Sequence, residues 1–223
     1  RAFIVDDPKA ILMCEVRADS FEAVEKQAEH LVKAIQESGL SYAWPVLVGP
    51  EIEKAVELRK AGLGLLGNIV GDRKSAACIE DTAVALPDLA NYIGEFTQLM
   101  KDHNQEAIYY AHAGAGELHM RPILNLKSAA GVKDLRSIAE ASAKLVKSYN
   151  GSLSGEHGDG RVRAEFIELM VGPKNYDLFK EIKKLWDPQH IFNQGKIVFP
   201  DPMDTDLRYT KNQKPFTFKT FLN

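Results

Sequence analysis

Apolar positions along this chain change period several times, and each change marks an element. Ile11–Val16 is a short apolar run after Pro8 and reads as a strand. Phe21, Val24, Ala28, Leu31 and Ile35 then recur at helical spacing, with Asp19 and Glu22 as a capping box and Ser38-Gly39 as the stop. Tyr42–Val48 reads as a second strand, and Pro45 assigns it to an edge. Pro50 opens a helix through Arg59 and Lys60 that should end at Gly62. Beyond the "GLGLLGN" loop, "SAACIEDTAV" is a strand candidate. Leu89, Tyr92, Ile93, Phe96, Leu99 and Met100 mark the next helix, started at Pro87-Asp88. The strands "AIYYA" and "ELHMRPIL" follow, joined by a short loop, and then a helix from Val132 to about Tyr149. Past "SLSGEHGDGR" the pattern is mainly helical. Tyr176, Phe179, Ile182, Leu185 and Trp186 form a stripe that Asp187-Pro188 ends, before an irregular tail.

Strands alternating with helices in this order suggest an α+β fold: two strand–helix–strand units side by side, with an antiparallel or mixed sheet and helices on one face. The division expected is a sheet domain over 1–150, a C-terminal segment over 151–204 with the "SGEHG" loop, and a linker over 205–223 towards a further domain.

Composition narrows the partners. With 223 residues, 45% hydrophobic and 26% charged, the chain has an ordinary soluble composition. A net charge of −3 without any basic block argues against nucleic acid. The two cysteines, Cys14 and Cys78, cannot build a Cys-only cluster or a disulfide framework, so a reducing compartment is expected. No apolar run approaches the ~18–20 residues of a membrane span, and the start "RAFIVDDPKA" lacks the order of a signal peptide. The chain reads as cut from a longer protein.

Among the motifs, "GLGLLG" (Gly62, Gly64, Gly67) satisfies G-x-G-x-x-G. It follows a helix instead of a strand, which argues against a dinucleotide fold. "GSLSG" misses a nucleophile elbow because Leu153 stands at its centre. The stretch "HAGAGELH" carries more. In a strand–loop–strand, His112 and His119 can lie opposite each other and point to one face, with Tyr110 and Arg121 one step out. Their ring nitrogens would then converge on a metal at ~2.1 Å each. The bland alternative is a stacked or solvated histidine pair. In "SLSGEHGDGR", Gly155, Gly158 and Gly160 free the backbone for close approach to a ligand, and Glu156 is a natural third ligand after two histidines. Here the alternative is a glycine turn with solvated charges.

"YYAHAGAGELHMRPILNLK", "NGSLSGEHGDGRVR" and "LWDPQHIFNQGKIV", in this order, resemble the C-terminal substrate domain of FAD-linked oxidases of the vanillyl-alcohol-oxidase type. That group includes the D-lactate and D-2-hydroxyglutarate dehydrogenases and the glycolate oxidase D-subunit. "HAGAGELHMRPILNLK" and "DPMDTDLRY" are most similar to large members fused to an iron–sulfur part, so any iron–sulfur cluster would belong to a downstream domain. The resemblance implies a ferredoxin-like fold. It also implies a divalent metal, zinc by preference, on His112, His119 and Glu156, with His157 as the base. It further implies Arg59 on the substrate carboxylate, with Lys74 a second candidate, and Asn193 and Lys196 against the flavin alongside Gly155 and Gly158. The FAD would be held mainly by an N-terminal domain of the same protein. The usual loop resembles H-x-G-D-G-N-L-H; here Ala115 and Glu117 replace the Asp and Asn, and Arg121 stands where the D-2-hydroxyglutarate enzymes tend to have Asn.

These residues suit the oxidation of a D-2-hydroxy acid. A metal stabilises the developing alkoxide, an imidazole takes the hydroxyl proton, and a guanidinium holds the carboxylate. The hydride acceptor must be a cofactor, and this chain alone should be inactive. Two other classes compete: a metal-dependent hydrolase using the same His-His-Glu set, and a non-catalytic assembly domain. A cytoplasmic location, peripheral to the membrane through an electron-transfer partner, is expected.

Overall fold

The computed structural model describes residues 3–210 and 212–214, in two compact units, Arg1–Leu63 and Gly64–Asn223. In the first unit, α1 spans Phe21–Ser38. Its N-cap is Ser20, whose hydroxyl accepts from the Ala23 amide, and Gly39 closes it in the left-handed region at φ 65°. The cap therefore falls one residue beyond the predicted Asp19. α2 runs over Pro50–Leu66, through Gly62 and Gly64. A glycine costs a helix only about 1 kcal/mol relative to alanine, too little to end one by itself.

The strands predicted at Ile11–Val16 and Tyr42–Val48 form no ladder. Ile11, Leu12, Trp44, Val46 and Val48 are exposed, and no residue of α1 is buried. The first of the two expected strand–helix–strand units is thus helix and irregular chain. The apolar stripe of α1 has no sheet face in this unit to cover.

The second unit carries the sheet, so the α+β class holds. β1 (Lys74–Ser75) and β2 (Ile79–Ala83) flank one side of a central strand, and α3 (Leu89–Asp102) leads to β3 (Ala107–His112) on the other side. The central strand is β4, Glu117–Leu124, and all its partners are antiparallel. α4 (Ala129–Ser148) follows, capped by Ser128, whose hydroxyl accepts from the Gly131 amide. Because side chains alternate along a strand, β4 sends Leu118, Met120 and Leu124 to one face. There they pack with Ile79, with Tyr92, Phe96 and Met100 of α3, and with Leu135, Ile138, Ala139 and Val146 of α4. His119 belongs to the opposite face. The two helices therefore bury one side of the sheet and leave the other for chemistry.

Short helices α5 (Gly160–Arg163) and α6 (Ile167–Val171) lead to α7 (Pro173–Trp186). The expected boundary at 150 is not where the units divide: residues 152–157 run alongside β2, with an isolated bridge between Ser152 and Ala83. The tail docks as well. Met203 is buried in the main core and Leu207 packs against it. Of the predicted linker, residues 211 and 215–223 lie outside the described residues.

Candidate metal centre

The hairpin places the histidines. A single tight turn, Ala113–Ala115, closes on Gly116, whose φ of 72° favours glycine. A side chain there would also sit 2.0 Å from the Val84 carbonyl. Four residues are thereby spent on the turn, and the register becomes His112 opposite Glu117, Tyr110 opposite His119 and Ile108 opposite Arg121. The predicted pairing of His112 with His119 is corrected by two residues. An even shift keeps every side chain on its face, so the two imidazoles still converge, with ring centroids 5.5 Å apart.

The second segment meets them. Glu156 Oε1 lies 3.9 Å from His112 Nε2, 3.6 Å from His119 Nε2 and 3.5 Å from His157 Nε2. One ligand atom from each of His112, His119 and Glu156 falls within 4.8 Å of the other two. Two ligands each ~2.1 Å from an ion at the tetrahedral angle stand about 3.4 Å apart. The donor set therefore fits a metal with little rearrangement. His119 is buried, whereas His112 and Glu156 are about half exposed, which leaves a side open to a small molecule. Burial lowers the His119 pKa, and His112 and His157 reinforce this, so its ring is neutral and ready to ligate near pH 7.

Three further residues build the site, and the sequence reading missed them. Between Glu80 and Thr82 the β2–β4 register slips, and Asp81 takes the extra position at φ 103°. A bulge of this kind re-aims a side chain. The Asp81 carboxylate, fully buried, accepts from Ser154 Oγ at 2.6 Å and from the amides of Glu156 and His157 at 2.9 Å each. Burial would raise its pKa, but these bonds outweigh it and hold the group well below the usual carboxylate range. Glu117, buried on the histidine face, is pushed up to about 7 by burial, by the neighbouring Asp81 carboxylate and by the charge of Glu156. Arg163, also buried, donates to the carbonyls of Glu80 and Gly158 and lies 3.9 Å from Asp81. The available signal was "IEDTAV": two adjacent acids inside an apolar strand cannot both point to solvent.

The other predicted residues are placed as follows. Gly155 sits where an added Cβ would be 3.3 Å from both Asp81 Oδ1 and Glu117 Oε1, and Gly158 has a φ of 79°. Arg121 shares the histidine face, where it forms an ion pair with Glu80. Lys74 is not brought to the cluster: it pairs in register with Leu124, on the face opposite His119, and its ammonium donates to the Ile69 carbonyl. Arg59 is half-buried on α2 and belongs to the first unit. Asn193 is exposed, and Lys196 donates to the Gln194 carbonyl. No helix among the described residues is long and apolar enough to cross a membrane.

A hairpin and a glycine-rich bend thus bring His112, His119 and Glu156 together on the open face of an α+β sheet. Residues 3–197 match the family of FAD linked oxidases, C-terminal domain, and the chain belongs to that family. It is 35% identical over 193 residues to the D-2-hydroxyglutarate dehydrogenase of Haemophilus influenzae, covering 83% of this chain and 19% of that protein. It is 34% identical over 167 residues to the enzyme of the same name from Escherichia coli, covering 75% and 16%. The D-lactate dehydrogenase of Archaeoglobus fulgidus is 28% identical over 178 residues, covering 80% and 38%. The chain thus spans about a fifth of the length of the first of these relatives.

Proposed function

We propose that the protein containing this chain is an FAD-dependent dehydrogenase of D-2-hydroxy acids, to which this part contributes the metal ligands, the base and substrate contacts. One observation carries the reading: Glu156 meets His112 and His119 at ligand spacing in a member of an FAD-linked family. Relatives named for D-2-hydroxyglutarate and D-lactate favour this substrate class.

His112, His119 and Glu156 would hold a divalent ion, zinc by donor type. Bound there, the ion stabilises negative charge developing on the substrate hydroxyl oxygen. His157 takes the hydroxyl proton, and its ring stands beside the ligand set at Glu156. Arg59 is assigned to the substrate carboxylate, and Arg121 contributes by exchanging Glu80 for a substrate anion. FAD, held mainly by another part of the longer protein, supplies the hydride acceptor that no side chain provides. Asn193 and Lys196, with Gly155 and Gly158, are assigned to its side of the site. In support, Leu185, Trp186, Ile191, Phe192 and Phe199 are exposed around this segment, an apolar surface suited to a neighbouring domain of the same protein. A reducing, cytoplasmic setting agrees with the free thiols Cys14 and Cys78.

The test is anaerobic mixing of the full-length protein with D-2-hydroxyglutarate or D-lactate while flavin absorbance is followed. The expected result is bleaching that prior chelation abolishes. An unchanged spectrum with every 2-hydroxy acid, alongside turnover of an ester or amide, would establish a hydrolase instead.

A further inference from the structure

We propose that Asp81 is the positioning residue of this site: its carboxylate bends the chain at Glu156-His157 so that both side chains reach the metal centre together. The inference rests on the metal reading above and adds a residue outside the ligand set. Adjacent side chains of an extended strand point to opposite faces. Here Glu156 Oε1 and His157 Nε2 instead approach to 3.5 Å. The bend that permits this is held by one group. Oδ1 of Asp81 accepts from the Glu156 amide and Oδ2 from the His157 amide, while Ser154 Oγ fixes Oδ2 from a third direction. The Asp81 carbonyl also accepts from the Gly155 amide at 2.7 Å. Successive amides that converge in this way form a concave anion site, and the anion is internal to the protein. The "SGEHG" glycines thus enclose a carboxylate of the sheet. Gly155 leaves the space that Asp81 and Glu117 occupy. The grip links residues 75 and 76 positions apart and starts from a bulge with φ 103°, so its geometry is fixed by the sheet and not by the loop itself. Arg163 ties the strand to the far end of the bend through the Glu80 and Gly158 carbonyls.

The test uses metal-free full-length protein titrated with Zn²⁺ against a chromophoric chelator. Asp81→Asn keeps the shape but turns an NH₂ towards a backbone N–H, so one amide of the bend loses its acceptor. The expected result is zinc binding weakened ~10- to 100-fold, the range seen when outer partners of metal ligands are removed. Asp187→Asn strips a similar grip from a different loop and should leave zinc affinity within about twofold. Zinc affinity in Asp81→Asn within twofold of the parent, or equal losses in both variants, would overturn the proposal. Should Asp81→Asn fail to fold, Ser154→Ala removes the third donor and leaves both amides intact. It should weaken zinc about threefold, and an unchanged affinity there would equally overturn it. His112→Ala separates the two layers of argument. If it retains zinc, the metal reading itself fails; if it loses zinc while Asp81→Asn does not, only the positioning role fails.

Discussion

Asp81 and Asp187 are two buried carboxylates that solve one physical problem in different places. Asp187 Oδ1 accepts from the Ile191 amide at 2.7 Å and Oδ2 from the Phe192 amide at 3.0 Å, the same division between consecutive amides that Asp81 makes at Glu156 and His157. Gln194 Nε2 and Lys183 Nζ complete the shell of Asp187, each at 2.7 Å. The difference lies in reach and charge. Asp187 ends α7 and orders the residues that follow it, with a lysine one helical turn back to balance its charge. Asp81 reaches across the fold to a distant bend, its nearest cation, Arg163, stands 3.9 Å away, and two carboxylates, Glu117 and Glu156, act on its surroundings. A local grip of this kind shapes a loop. The long-range one carries the state of the sheet into the geometry of the site.

Removing each carboxylate should separate the two aspartates most strongly. Asp81→Ala leaves a hydroxyl and two amides without an acceptor and should cost about 3 kcal/mol of unfolding free energy. Asp187→Ala, whose freed amides lie near the surface, should cost clearly less, as read by urea titration of the metal-free protein. Equal losses would erase the distinction between the two.

Acidification gives the next test. Both aspartates have folded-state pKa values below the ordinary range. Their contribution is therefore fully present above the unfolded value of about 4 and is lost as pH falls through the folded values. The parent should lose thermal stability below about pH 4, and Asp187→Asn should show a shallower decline over that window.

Glu117 runs the other way. Its pKa rises from 4.5 to about 7, so between those values the unfolded chain has released a proton that the folded chain retains, and stability falls as pH rises. With chelator present, Glu117→Gln should match the parent near pH 4.5 and melt above it at pH 8. Coincident melting curves at both pH values would contradict this assignment. The smallest effect should come from Gly155→Ala. An added methyl 3.3 Å from two carboxylate oxygens must displace one of them, for about 1 kcal/mol.

Much of the second unit was legible before any coordinates. β4 occupies the predicted "ELHMRPIL", because alternation along a strand is written directly in residue type. The face shared by His112 and His119 was legible too, although their pairing was not. Sequence spacing gives the number of intervening residues but not how many the turn consumes, and Gly116 closes the turn a residue before β4 begins. The acids of "IEDTAV" signalled a buried carboxylate, but the partners of Asp81 were hidden for a different reason. A bulge is set by what the strand must contact, and its partners lie far away in sequence. Lys74 was misplaced because a free-looking cation in a list of residues gives no hint of the Ile69 carbonyl that it meets in the fold. In the first unit the strand patterns were present, but apolar alternation forms a strand only where another strand offers a ladder.

The most direct measurement is X-ray absorption at the zinc edge on full-length protein loaded with one equivalent of zinc. The expected result is nitrogen and oxygen scatterers at ~2.0–2.1 Å, with the longer-range pattern of two imidazoles that disappears in the His112→Ala, His119→Ala double variant. A spectrum without imidazole scattering, or one unchanged by that double substitution, would contradict it.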